Sequence, residues 1–322
     1  MAKTVRIAFI GAGGRATSTH YPSLFDMDQV DIVAACDINQ ARLDEACSKF
    51  QIQGRYNDYR KMLAQEKPDA VYAIMPPQNL YDISAEVIES GSHLFVEKPP
   101  AVTTEQTRQL HLLAQQHEVL TGVTFQRRFS PLIRKGKKLC IERGPVHTAH
   151  ASFYKNSLGS KPYYKGGMDV LTVDGIHAVD TLRYLCGGEV ERVSSDSRRL
   201  DATHWNMHLA IIKFSSGATG VLLNNFMAGK RIFSVEIHSP GISFFGDPEE
   251  SGKLFAENKP DAIQTINPFE LSGSKEGYRA FGAFDINLHF VECIKNGIQP
   301  ETHLGDALKT MELVDAIYDS QL

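Results

Sequence analysis

The feature that most constrains this chain is a glycine turn set between a strand pattern and a helix pattern near its start. Val5 to Ile10 is a continuous apolar-rich run with one Arg, which suits a strand covered on both faces. It ends in Gly11-Ala12-Gly13-Gly14-Arg15-Ala16, and a helix is expected over 16–25. Gly11 allows a tight turn, Gly13 leaves backbone amides open to a pyrophosphate, and Ala16 lets helix and strand pack closely. Phosphates then rest on the free amides of the helix start, with Gly14 and Arg15 in the same cradle. Strand, turn and helix in this order open a β-α-β unit and therefore a parallel sheet.

An acid follows where such a unit needs one. Asp37 ends the second expected strand, 30–36, about 20 residues past the turn. A carboxylate there accepts the ribose hydroxyls of NAD and repels the 2′-phosphate of NADP, so NAD is the favoured cofactor. Arg42, one turn into the next helix, softens that preference. The alternation then continues, with helices expected at 41–50, 58–65, 79–90 and 103–116 and strands at 70–75, 93–96 and 120–124. Thr103 and Gln106 have capping-box spacing. Met75-Pro76-Pro77-Gln78 and Glu97-Lys98-Pro99-Pro100 sit at strand ends, outside which open parallel sheets bind ligands. Pro76 and Pro77 are expected to wall the nicotinamide side of the cleft.

Past about Gly122 the pattern changes. A helix at 131–142 precedes strand-like runs at 145–154, 190–199, 205–214, 218–227, 232–239 and 242–245, and helices return at 284–295 and 304–320. Successive strands on short turns favour antiparallel pairing. The expected domains are therefore 1–122, a doubly wound Rossmann-type parallel sheet, and 123–322, an α+β domain with a mostly antiparallel sheet. One face of that sheet packs on helices. Alternating Phe, Met, Ile and Leu suggest that the other meets a second copy, as a homodimer or homotetramer.

Composition narrows the class. A net charge of -4 argues against general nucleic-acid affinity. Five scattered Cys without a C-x-x-C pattern read as reduced cytosolic thiols. No signal-peptide layout or membrane-length apolar run is seen, and the dispersed histidines lack metal-ligand spacing. A cytoplasmic protein without metal, membrane or nucleic-acid partner is expected.

The order Gly-Ala-Gly-Gly-Arg-Ala, Cys36-Asp37, Met75-Pro76-Pro77, Glu97-Lys98-Pro99 and Gly175-Ile176-His177 resembles the Gfo/Idh/MocA family of glucose–fructose oxidoreductase, inositol dehydrogenase and relatives. The resemblance covers nearly the whole chain, and Glu97-Lys98-Pro99 is its most specific mark. It implies a Rossmann domain, a C-terminal domain with a large open sheet, NAD or NADP, and a sugar, sugar-nucleotide or cyclitol substrate. The sequence departs from the family pattern twice. The Asp often found four residues before the histidine is displaced to Asp174, three before His177, and Tyr81 stands where many members have a histidine.

Oxidising a secondary alcohol with NAD requires a hydride acceptor and a group that takes the hydroxyl proton. Lys98 is one candidate, as base, relay or charged donor to the substrate oxygen. A free Lys has pKa about 10.4, and lowering it to about 7–8 costs about 4 kcal/mol, which burial and a positive nicotinamide supply. Glu97 is expected to point away from that amine, because adjacent strand residues face opposite sides; it is grouped with the cofactor contacts. His177 is the other candidate, on an apolar helical pattern over 171–186. Asp174 and Asp180 lie i, i+3 from it, and a carboxylate beside an imidazole sets its tautomer and raises its basicity. Arg128, Tyr154, Tyr163 and Tyr164 are expected in the substrate pocket, with His20 and Tyr21 as further cleft-facing candidates. Three rivals to a sugar or polyol dehydrogenase are an NAD-dependent glycosidase using transient oxidation, a cofactor-binding sensor or repressor, and a catalytically idle partner subunit.

Overall fold

The computed structural model describes residues 4–322. Two compact units emerge: one runs through Thr124 and takes in Ala283–Leu308, the other is Phe125–Gly282 with Lys309–Leu322.

The first unit carries β1 (Val5–Ile10), β2 (Val30–Cys36), β3 (Gly54–Tyr56), β4 (Ala70–Ala73), β5 (His93–Val96) and β6 (Thr121–Val123), interleaved with α1 (Tyr21–Phe25), α2 (Gln40–Lys49), α3 (Tyr59–Glu66), α4 (Leu80–Glu89) and α5 (Thr104–Gln116). The strands run in the order β3-β2-β1-β4-β5-β6, every neighbour parallel. The direction of winding reverses between β1 and β4, and the crevice at their carboxyl ends is where such sheets hold ligands. The near-continuous apolar strands are buried on both faces. Thr103 and Gln106 close a complete capping box on α5. The helix expected over 16–25 opens as a wider π turn, Ala16–His20, that leads into α1. β3 was not anticipated: three residues containing Gly and Arg are too short to show a period.

The second unit carries α6 (Pro131–Ile141), β7 (Thr148–Asn156), α7 (Ile176–Cys186), β8 (Val190–Arg198), β9 (Met207–Phe214), β10 (Thr219–Asn225), β11 (Met227–Ser239), β12 (Ile242–Asp247), β13 (Ser251–Ala256) and β14 (Gln264–Ile266), then the short α8 (Pro268–Ser272) and α9 (Gly277–Ala280). Its sheet runs β14-β13-β12-β11-β7-β10-β9-β8. Every neighbouring pair is antiparallel except β7 with β10. α6 and α7 cover one face. On β9 the burial alternates residue by residue, placing Ala210, Ile212 and Phe214 inward and leaving Leu209 and Ile211 exposed. The hairpin Ser215-Ser216-Gly217 joins β9 to β10. β13 and β14, rich in Gly and polar residues, were not anticipated.

The chain does not divide simply at residue 122. α10 (Ala283–Asn296) belongs to the first unit, because Phe290 is fully buried and its ring lies 5.0 Å from that of Phe95. α11 (Leu304–Asp319) begins in the first unit, where Leu304 N donates to Thr121 Oγ1 at 3.0 Å, and its residues from Lys309 onward belong to the second. Among the described residues no helix is long and apolar enough to cross a membrane.

Candidate active site

In the first unit the glycine turn leaves β1 with Gly11 at φ +110°. A Cβ at Gly11 would stand 2.2 Å from the Ile74 carbonyl oxygen, so both the backbone conformation and the approach of β4 exclude a side chain. Gly13 and Gly14 differ: a Cβ at either would meet nothing within 4 Å. That open space beside the helix start is the cradle a pyrophosphate requires. Asp37 braces it from β2, as its Oδ2 accepts from Ala12 N at 2.7 Å and its Oδ1 from Asn39 N at 2.8 Å. Asn39, not Asp37, caps α2, its side chain accepting from Arg42 N. A cleft of about 550 Å³ opens here, lined by Gly11, Gly13, Asp37, Arg42, Met75 and Pro76 among others. Arg42 is exposed along its rim, and Pro77 starts the short 3-10 turn beyond Pro76. Glycine turn, acid and proline wall thus share the carboxyl edge of one sheet, and the residues present fit a dinucleotide.

Glu97 and Lys98 follow β5 directly. Lys98 is half-buried, whereas Glu97 is 7% exposed. Glu97 Oε1 accepts from Arg15 Nε at 2.7 Å and lies 3.0 Å from His20 Nε2. Burial alone would raise the Glu97 carboxyl, but Arg15 and the His20 hydrogen bond outweigh it, Lys98 acts in the same direction, and the group is held at about 2. Glu97 and Arg15, expected to touch the cofactor, are therefore bound to each other. His20 and Tyr21, expected to face the cleft, are fully buried. Tyr21 stacks on Phe9 with ring centroids 3.8 Å apart, and the π turn carries His20 inward.

In the second unit His177 is buried in the first turn of α7, and Thr181 Oγ1 donates to its carbonyl at 2.7 Å. A π turn, Leu171–Gly175, precedes it. The two neighbouring carboxylates hold other cations. Asp174 Oδ2 accepts from Lys155 Nζ and from Tyr163 OH, both at 2.7 Å. Asp180 takes the Arg128 guanidinium in a two-pronged contact at 2.7 and 2.5 Å, and Thr310 Oγ1 donates to it at 3.0 Å. Arg128, expected in the substrate pocket, is thus held in a buried ion pair with Asp180.

The aromatic expectations shift by one residue. Phe153 of β7 meets the His177 ring edge-on at 6.4 Å, and Lys155 lies on the same strand face. Tyr154, between them, points to the opposite face. Tyr164 is 55% exposed in left-handed backbone, and its neighbour Tyr163 holds Asp174 instead. Lys155 escaped the sequence reading. The signal for it was the period-two alternation of β7 counted outward from Phe153. Within each unit, then, the structure gathers a set: the glycine turn, Asp37, Glu97 and Lys98 in the first; Lys155, Tyr163, Asp174 and His177 in the second.

Comparison with known proteins bears on the family and the fold. Residues 5–125 match the family described as "Oxidoreductase family, NAD-binding Rossmann fold", and residues 142–241 match the "GFO/IDH/MocA C-terminal domain". The scyllo-inositol 2-dehydrogenase (NAD(+)) of Bacillus subtilis is 26% identical over 97% of this chain and 93% of its own length. A dehydrogenase from Chromobacterium violaceum superposes with a TM-score of 0.89 at 23% identity, covering 99% of this chain and 96% of that one. A levoglucosan dehydrogenase in complex with NADH and levoglucosan superposes at 0.85 with 19% identity, covering 99% and 97%.

Proposed function

We propose a reaction for this chain from the premise that it belongs to the Gfo/Idh/MocA family of NAD-binding oxidoreductases: oxidation of a secondary alcohol on a sugar, sugar derivative or cyclitol. The observation that carries the reading is Lys98, half-buried at the end of β5 in the same sheet that carries the glycine cradle and Asp37. The turn around Gly11 and Gly13, together with Asp37, would hold NAD, which would supply the hydride acceptor. Lys98 and His177 are the groups read as holding and moving the hydroxyl proton, with Asp174 in support. Lys155 joins them, because it places a second amine 2.7 Å from Asp174. The polyol substrate named for the Bacillus subtilis relative supports the substrate class.

The same reading carries two coarser expectations. The exposed Leu209, Ile211 and Phe245 on the second sheet support association of copies through that face. The five free, buried cysteines support a reducing compartment such as the cytoplasm.

The test is a screen of sugars, cyclitols and sugar nucleotides that follows NADH absorbance, with Lys98→Ala as control. Turnover of at least one secondary alcohol by the parent is expected, with a large loss in the variant. A Lys98→Ala enzyme as fast as the parent removes Lys98 from the chemistry.

A further inference from the structure

His20 is completely buried at the end of the π turn, surrounded by rings: Phe95 meets it edge-on at 5.6 Å and Tyr72 lies at 5.9 Å. A histidine in such a place is usually expected to be neutral, since burial disfavours charge. Its hydrogen bonds say otherwise. Nε2 lies 3.0 Å from Glu97 Oε1, and an ionised carboxylate only accepts. Nδ1 lies 3.2 Å from Asn287 Oδ1. That amide is oriented independently, because Asn287 Nδ2 donates to the Ala283 carbonyl at 2.6 Å one turn back in α10. The oxygen end of Asn287 therefore faces the ring. A neutral imidazole has one donor and one acceptor nitrogen, and either tautomer would set a lone pair against an oxygen lone pair in a site closed to water. Only the ring with both nitrogens protonated satisfies both neighbours.

We propose that His20 is a buried imidazolium that, together with Arg15, clamps Glu97 and so positions Lys98. Glu97 after β5 is the carboxylate beside it, shared with Arg15 of the glycine turn and felt by Lys98; α10 presents the neutral Asn287 and β4 the Tyr72 ring. Arg15 and His20 together outweigh the single negative charge of Glu97 by one. The Lys98 amine, which follows Glu97 in sequence, acts on that same carboxylate, so a clamp that fixes Glu97 also fixes the backbone and the charge beside Lys98. Arg15 ties this cluster to the phosphate cradle and Asn287 ties it to α10. The charge state of His20 stands apart from the dehydrogenase reading; its effect on Lys98 rests on that reading.

The first measurement is NMR of the full chain labelled with 15N-histidine, with the His20 signals assigned by their loss in His20→Gln. The expected result is two imidazolium-type nitrogens at pH 7. Asn287→Leu removes the acceptor at Nδ1 and should make His20 lose its proton at a lower pH than in the parent, whereas Asn287→Asp should keep it charged. A neutral His20 in the parent at pH 7 overturns the proposal whatever the kinetics. The second measurement is the pH–rate profile with a sugar or cyclitol found by the screen. His20→Gln keeps a side chain able to donate to Glu97 but removes the charge, so the pH–rate profile should move and kcat should fall on the order of tenfold, with KM for NAD little changed. Profiles that superimpose overturn the coupling to Lys98. A charged His20 in a chain that turns over no alcohol leaves the imidazolium standing and refutes the dehydrogenase reading instead.

Discussion

Replacing Glu97 by Gln keeps the shape of the side chain and removes the charge shared by Arg15 and His20. The Glu97 carboxyl is held at about 2 against an ordinary 4.5. A gap of that size corresponds to about 3 kcal/mol of folding stability at neutral pH. Its sign follows from proton counting. Between those two values the unfolded chain binds a proton that the folded chain refuses, so the stabilisation is complete at pH 7 and declines as the pH falls below the unfolded value. About 1 kcal/mol of it should be gone at about pH 3.5. The assay is urea denaturation of parent and Glu97→Gln followed by circular dichroism at a series of pH values. Other carboxylates titrate in both proteins and cancel in the difference. The parent should be the more stable at pH 7, by about 3 kcal/mol, and the gap should narrow by about 1 kcal/mol on acidification to about pH 3.5. A gap that stays constant over that range would refute the argument, because it would mean that Glu97 contributes packing rather than charge.

Two further outcomes follow from the geometry. Arg128→Ala takes the guanidinium away from the buried Asp180 carboxylate and should cost about 3–5 kcal/mol, read as a lowered Tm, while NAD affinity measured by titration calorimetry stays near that of the parent. Asp37→Ala removes both the ribose acceptor and the brace on Ala12 N. It should erode the preference for NAD over NADP by about tenfold, and a parent that binds NADP more tightly than NAD would overturn the assignment.

What could be read in advance depended on range. The parallel sheet was legible because every signal for it is local: apolar runs too buried to alternate, a turn that needs Gly11 in positive φ, and a Thr103–Gln106 capping box. Asp37 and the cradle were legible for the same reason, since one βα unit holds them together. The partners of charged groups were not. Asp180 is three residues from His177, yet its oxygens went to Arg128 and Thr310, 52 and 130 residues away in sequence. Asp174 reached across to Lys155 on β7, and a one-residue count along that strand exchanged Tyr154 for Lys155.

The amino-acid order on its own therefore determined the fold class, the cofactor cradle and the position of Lys98 at a strand end, because hydrophobic period, turn chemistry and capping act over a few residues. Only the tertiary structure decided which cation each carboxylate holds, that α10 returns to the first unit, and that His20 is core rather than cleft. Those outcomes are set by which side chains meet after burial, when the cost of an unpaired charge forces each one to the partner that packing brings within reach.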